Sequence, residues 1–179
     1  MSKLNLLRQE FLKELHILAN YTGDWRQLNS RPLMSATYEY FRNRHVENVV
    51  DFTAEEESQL KENLPKAYFQ LGSQGALSYL IDYLERKEVF NYVRFRSACQ
   101  FLIDDVGTFV PGSREKDEQI EEMLASFEDN DKYLELAGDD WEFCEYPVEP
   151  VPEHAGVPES HTWWKRLEDS YGPFLQRYG

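Results

Sequence analysis

Leu4, Leu7, Phe11, Leu15 and Leu18 recur three or four residues apart, and Lys3, Arg8, Lys13 and Glu14 lie off that stripe. The spacing predicts an amphipathic helix over about residues 3–19, with Ser2 as its N-cap. Tyr21-Thr22-Gly23-Asp24 follows, and Gly23 is expected to close the helix in a left-handed conformation. Ser35 is expected to cap a second helix reaching about His45, with Tyr38 and Phe41 on one side. Val46 to Phe52 is short and β-branched, which suggests a brief extended piece. Thr53-Ala54-Glu55-Glu56 has the form of a capping box and opens a third helix. Pro65 is expected either to kink that helix or to begin a new one holding Ala67, Tyr68 and Leu71.

The fourth predicted helix covers about 76–88 and buries Leu77, Leu80, Ile81 and Leu84. The run from Val89 to Val110 reads two ways. Val93-Arg94-Phe95-Arg96 alternates as a strand does, whereas Phe95, Cys99, Leu102 and Val106 fit a helix. Its length favours the helix, closed by Pro111-Gly112. Ser113 caps another predicted helix to about Phe127, with Ile120, Leu124 and Phe127 inward and Glu118, Glu121 and Glu122 outward. Asp129-Asn130-Asp131 turns the chain into a short helix holding Tyr133, Leu134 and Leu136. Pro147, Pro150, Pro152 and Pro158 then forbid regular helix and predict an extended path. A last helix is expected from Thr162 to Tyr171. The pattern therefore predicts a mostly α fold, a single compact domain of six to seven helices. Residues 1–146 form its body, 147–160 a Pro-rich extended segment, and 161–179 a C-terminal helix docked on the same body.

Charge changes this picture more than composition does. With 179 residues, 41% of them hydrophobic and 15% aromatic, the chain can bury one real core without staples. Its net charge is −14, and all of it lies in one place. Residues 117–159 hold fifteen acidic side chains and one base, Lys132, so that stretch alone carries −14 and the rest sums to zero. Such a balance argues against direct binding to nucleic acid, which needs Lys and Arg to displace counterions, and against anionic membrane surfaces. No apolar run approaches the roughly 18 residues of a membrane span, and the N-terminal stretch is broken by Arg8, Glu10, Lys13 and Glu14. Two cysteines, Cys99 and Cys144, make no disulfide framework, which fits a cytoplasmic setting.

The usual chemistry does not assemble from the motifs. His154 and His161 stand seven apart near Glu153 and Glu159, without the tight spacing of a helical metal pair. Asp129-x-Asp131 begins like a calcium loop but has Leu134 where glycine is required. No phosphate-cradling glycine loop or nucleophile elbow is present. Cys99 sits in an apolar run and reads as a buried structural cysteine, while Glu142 and Glu145 disfavour a Cys144 thiolate. Arg86, Lys87, Arg94 and Arg96 form a basic cluster in sequence, expected to balance part of the acidic surface. No catalytic, cofactor or metal residues are assigned.

What remains is the acidic stretch, whose carboxylates are interleaved with Phe127, Tyr133, Trp141, Phe143 and Tyr146. Aromatics within an acidic surface supply rigid anchors, and the carboxylates steer a basic partner towards them. The expected partner-binding residues are Glu118, Glu121, Glu122, Glu128, Asp129, Asp131, Asp139, Asp140, Trp141, Glu142 and Glu145. The chain resembles, in general type only, the small acidic inhibitors, immunity proteins and DNA-mimic regulators. The expected function is thus a non-enzymatic protein-binding regulator that occupies a basic site on a nucleic-acid-handling protein or toxin. A small carboxylate or metal-dependent enzyme and a structural adaptor are the alternatives.

Overall fold

A computed structural model describes residues 2–47, 52–71, 76–86, 88–106, 125, 127–128, 131 and 154–165. Helix accounts for 79% of these, and no strand occurs among them, so the fold is all-α as the periodicity predicts.

Helix α1 (Lys3–Ala19) starts where Ser2 Oγ accepts from the Asn5 amide at 3.3 Å. Its stripe Leu4, Phe11, Leu15 and Leu18 is buried. Gly23 does not close it. Asn20 does, with φ −105°, its amide N–H returning to His16 O and its side chain donating to His16 O at 2.9 Å and Asn63 Oδ1 at 3.1 Å. An Asn side chain supplies the capping bonds directly, so no left-handed residue is needed. The Tyr21 hydroxyl then donates to Asp24 O and bends the chain into a 3-10 turn, Trp25–Gln27.

Helix α2 (Arg31–Glu47) begins four residues before the expected cap at Ser35. Asn29 Oδ1 accepts from the Arg31 amide at 3.2 Å, and Pro32 occupies the first turn, where its missing N–H costs nothing. Val46 is helical and exposed, so the expected extended piece does not start there, and residues 48–51 lie outside the described part. Helix α3 (Ala54–Gln70) carries the predicted capping box, with Glu56 N to Thr53 Oγ1 at 3.2 Å and Thr53 N to Glu56 Oε2 at 2.8 Å. Pro65 opens no new helix, since α3 runs through it as one element.

Helix α4 (Ala76–Glu85) stops three residues short of the expected end, and Ile81 is 40% exposed rather than buried. The inward places go to Leu80 and Tyr83, because the face turned to the next helix carries Tyr79 and Tyr83 against Phe95. Helix α5 (Val89–Phe101) continues into a π-helical turn, Leu102–Val106. Tyr92, Val93, Phe95, Arg96, Ser97, Ala98 and Cys99 are all buried, so α5 is surrounded. That is why Val93-Arg94-Phe95-Arg96 mimics a strand: a helix enclosed on all sides has no single apolar stripe.

Helix α1 packs on α2 and α3, α2 on α5, and α5 on α4. Aromatic rings carry the core across: Phe11 meets Phe41 edge-on at 5.3 Å, and Phe41 stacks on Phe101 at 5.7 Å. Residues 154–165 form a strap over α2 and α5. His154 to Val157 closes a turn, rather than following an extended path, and Trp163–Lys165 are helical. Gly156, at φ +85°, lies so close to α2 that a Cβ would fall on Arg42 O and Val46 Cγ2. Gly156→Ala is therefore expected to cost about 1–3 kcal/mol, through strain and displacement of the strap. Urea unfolding followed by tryptophan fluorescence checks it, and an unchanged midpoint would refute the close approach. Of the predicted helix over 113–127, only Ala125 and Phe127 are described. Phe127 is fully buried, as its inward assignment requires. Among the described residues no helix is long and apolar enough to cross a membrane.

Candidate functional site

Tyr92, Arg96, Gln100 and Asp104 stand every fourth residue along α5 and its π turn, so they share one face. They form a polar line in an otherwise apolar surrounding. The Tyr92 hydroxyl donates to Asp131 Oδ1 at 2.8 Å, and Arg96 Nε donates to Asp131 Oδ2 at 3.2 Å. Arg96 Nη1 donates to Gln100 Oε1 at 3.0 Å, and Gln100 Nε2 to Asp104 Oδ2 at 2.6 Å. The Arg96 guanidinium, 3% exposed, lies over Trp163 at 4.0 Å and over Phe127 at 4.7 Å. Desolvation of such a charge costs several kcal/mol, and the Asp131 carboxylate with the two ring faces offsets it. Burial, then the Asp131 charge, holds the Tyr92 phenol far above its ordinary pKa, so it remains a neutral donor.

On the adjoining face of the helix, Ser97 Oγ receives Trp163 Nε1 at 2.9 Å and Trp164 Nε1 at 2.7 Å, and lies 3.0 Å from His161 Nδ1. An indole N–H can only donate, so two donors fill both acceptor positions of the hydroxyl. Its single proton must then point to His161 Nδ1. That assigns the neutral imidazole with its proton on Nε2. Burial, aided by the Arg96 and His45 charges, lowers the His161 pKa to about 3, in keeping with that tautomer. Ser97 is thus the hub that fastens the strap to α5. His161 also packs on Phe101 at 4.8 Å, and His154 stacks on Trp164 at 5.2 Å. Among the described residues no three His, Cys, Asp or Glu side chains are grouped to hold a metal ion.

Beside the polar line opens a cavity of about 420 Å³, bounded by Arg96, Gln100 and Asp104 of α5, Glu128, Asp131, and the strap residues Ser160, Thr162 and Trp163. A second, of about 130 Å³, lies between α2, α4 and α5 beside Arg31 and Arg94. Arg31 sits over Tyr79 at 4.9 Å, and Arg94 over Tyr38 at 5.4 Å while it pairs with Glu39 at 3.6 Å.

The sequence-predicted partner residues are distributed unevenly. Glu128 is exposed, as an outward-facing acid should be. Asp131 is buried, its carboxylate turned inward onto Tyr92 and Arg96 instead of outward to a partner. The cause is the buried Arg96 charge, which needs a counter-ion where Asp131 stands. Glu118, Glu121, Glu122, Asp129, Asp139, Asp140, Trp141, Glu142 and Glu145 lie outside the described residues. The sequence cluster Arg86, Arg94 and Arg96 is taken apart: Arg86 pairs with Asp82 at 2.9 Å, Arg94 with Glu39, and Arg96 with Asp131. Lys87 lies outside the described residues. Cys99 is buried against Met34 Sδ at 3.8 Å, and burial pushes its thiol up to about 12, in line with a structural role. Sequence reasoning missed the Ser97 hub. The i, i+4 series of Tyr92, Arg96, Gln100 and Asp104 was the signal available for the polar line.

No family model matches the chain, and no curated protein or solved structure matches it.

Proposed function

We propose that the chain is a non-enzymatic protein-binding regulator, of inhibitor or DNA-mimic type, working in the cytosol. It presents residues 117–159 as an acidic, aromatic-studded face to a basic site on a nucleic-acid-handling partner. The observation that supports this is how the helical body uses its own charges. Arg8 pairs with Glu56, Arg42 and Arg94 with Glu39, Lys66 with Glu62, and Arg86 with Asp82. Among the described residues, Arg96 reaches into the acidic stretch, where it takes Asp131. Arg86 and Arg94 thus pair within the helical body. Glu128, an exposed acid of that stretch, makes no ion pair among the described residues. A surplus of this kind raises the local potential and speeds encounter with a basic surface, and salt weakens it.

The test is the quadruple reversal Glu121→Lys, Glu122→Lys, Asp139→Lys and Asp140→Lys. The variant and the parent are used to capture proteins from the native host's lysate at low and high salt. The parent is expected to retain a basic nucleic-acid-binding protein that elutes as salt rises. The reversed chain should bind the purified partner at least about a hundredfold more weakly, with an unchanged unfolding midpoint. Equal retention by both chains at low salt would overturn the proposal.

A further inference from the structure

Arg31 of α2 holds a charge that the helical body does not answer. The chain has 33 acidic residues against 19 lysines and arginines, yet Arg31 meets no carboxylate among the described residues. Its guanidinium lies over the Tyr79 ring at 4.9 Å and the Tyr83 ring at 5.8 Å instead. The Tyr83 hydroxyl also feels that charge, but burial keeps the phenol neutral, so it balances none of it. The two rings fix where the guanidinium stands without neutralising it.

Arg94 of α5 lines the same cleft of about 130 Å³, and its charge is only partly met. Its ionic contact among the described residues is Glu39 at 3.6 Å, beyond hydrogen-bond reach, and Glu39 holds Arg42 more closely, at 2.8 Å. The Tyr38 ring positions this guanidinium at 5.4 Å. Asn91 also lines the cleft, but its amide is given to Glu88 at 2.8 Å. The Ser35 hydroxyl makes no hydrogen bond among the described residues.

Two guanidiniums on different helices thus border one small space, each set on aromatic rings with N–H edges left for an acceptor. Such a space selects an anion. A carboxylate has two oxygens, which one guanidinium fork can occupy alone. A phosphoryl group presents its oxygens tetrahedrally and carries about −1.5 to −2 charge at pH 7, so it can bridge both arginines. Volume sets the size: a cavity of about 150 Å³ takes one benzene, so this cleft admits about five or six heavy atoms. That is enough for a phosphoryl group and too little for a nucleoside.

We propose that the cleft between α2, α4 and α5 binds a phosphoryl group, as free phosphate or as the head of a small phosphomonoester. Arg31 and Arg94 bridge its oxygens, and the Ser35 hydroxyl donates from the α2 side. Arg31 and Ser35 are exposed, so the organic part of an ester would lie outward past them. The site is on the helical body and uses none of residues 117–159, so its failure would leave the acidic-face reading untouched.

Isothermal titration of the full chain with inorganic phosphate and with glycerol 3-phosphate tests the site, at a fixed ionic strength of about 0.15 M. Acetate, a carboxylate of similar size, is the control. At least one phosphorylated probe is expected to bind with Kd at or below about 1 mM, and acetate at least about tenfold more weakly. The tighter of the two probes tells the free ion from the ester. Arg31→Gln and Arg94→Gln should keep their thermal midpoints and each weaken that probe about tenfold or more. Arg86→Gln, which removes a positive charge outside the cleft, should leave its affinity unchanged. The proposal fails if neither probe gives saturable binding up to about 10 mM, or if acetate binds as tightly. It fails equally if Arg31→Gln leaves the affinity unchanged, or if Arg86→Gln weakens binding as much as Arg31→Gln does.

Discussion

Asp131→Ala is expected to lower the free energy of unfolding by about 3–5 kcal/mol, which is a large share of a domain's total. The substitution removes the acceptor of the Tyr92 hydroxyl and of Arg96 Nε together. It leaves a guanidinium 3% exposed, clamped between Trp163 and Phe127, with no opposite charge in contact among the described residues. An arginine guanidinium is not deprotonated in proteins, so the charge stays. The loss therefore appears as destabilisation. Asp82→Ala is the internal comparison. Asp82 pairs with an Arg86 side chain that is 61% exposed, so its removal should change stability by only about 0–1 kcal/mol. Urea unfolding of the parent and the two variants measures both. A loss below about 1 kcal/mol for Asp131→Ala would mean that Arg96 has found another counter-ion.

Asp131 also shows what the sequence hides. In the stretch 117–159 it is one acid among fifteen, and nothing local separates it from Asp129 or Glu128. Its role depends on Arg96, thirty-five positions away. The features legible in advance were those whose physics is local: the α1 stripe, the Ser2 cap, and the Thr53–Glu56 box, all closed within four residues. The start of α2 was misplaced because Asn29 and Pro32 look like loop chemistry until one notices that they form a cap and a first turn. Ile81 was assigned inward because helical spacing gives a stripe about as wide as a turn, and packing against Phe95 chose its other edge. The candidate site was less legible still. Ser97 is a small polar residue in an apolar run, and its three partners arrive from more than sixty positions downstream. No single-sequence pattern marks a hub of that kind.

The same hub leads to the second large effect, a loss of stability on acidification that belongs to His161. Unfolded, this histidine titrates near its ordinary 6.5, whereas in the fold burial first, then Arg96 and His45, lower it to about 3. The neutral form is the one the fold holds, since Ser97 has only a proton to offer Nδ1 and both its acceptor positions face indoles. The unfolded chain therefore binds the additional proton. The contribution is complete above pH 6.5, falls as pH drops below that value at about 1.4 kcal/mol per unit, and is exhausted near pH 3. Over the whole window it is on the order of 5 kcal/mol. Carboxylates in general titrate nearer pH 4, so the diagnostic interval is pH 6.5 to 5. His161→Gln keeps a side chain that can accept from Ser97 but does not titrate. It should be less stable than the parent at pH 7, because a different shape fills the space between Phe101 and Trp163, and its stability should fall less steeply across that interval. Urea midpoints at half-unit steps of pH give both slopes, and the difference between them isolates His161 from the other histidines. Parallel slopes would mean that His161 takes up its proton within the fold. The tautomer assigned from Ser97 would then be wrong, and the strap would be held to α5 by the indoles alone.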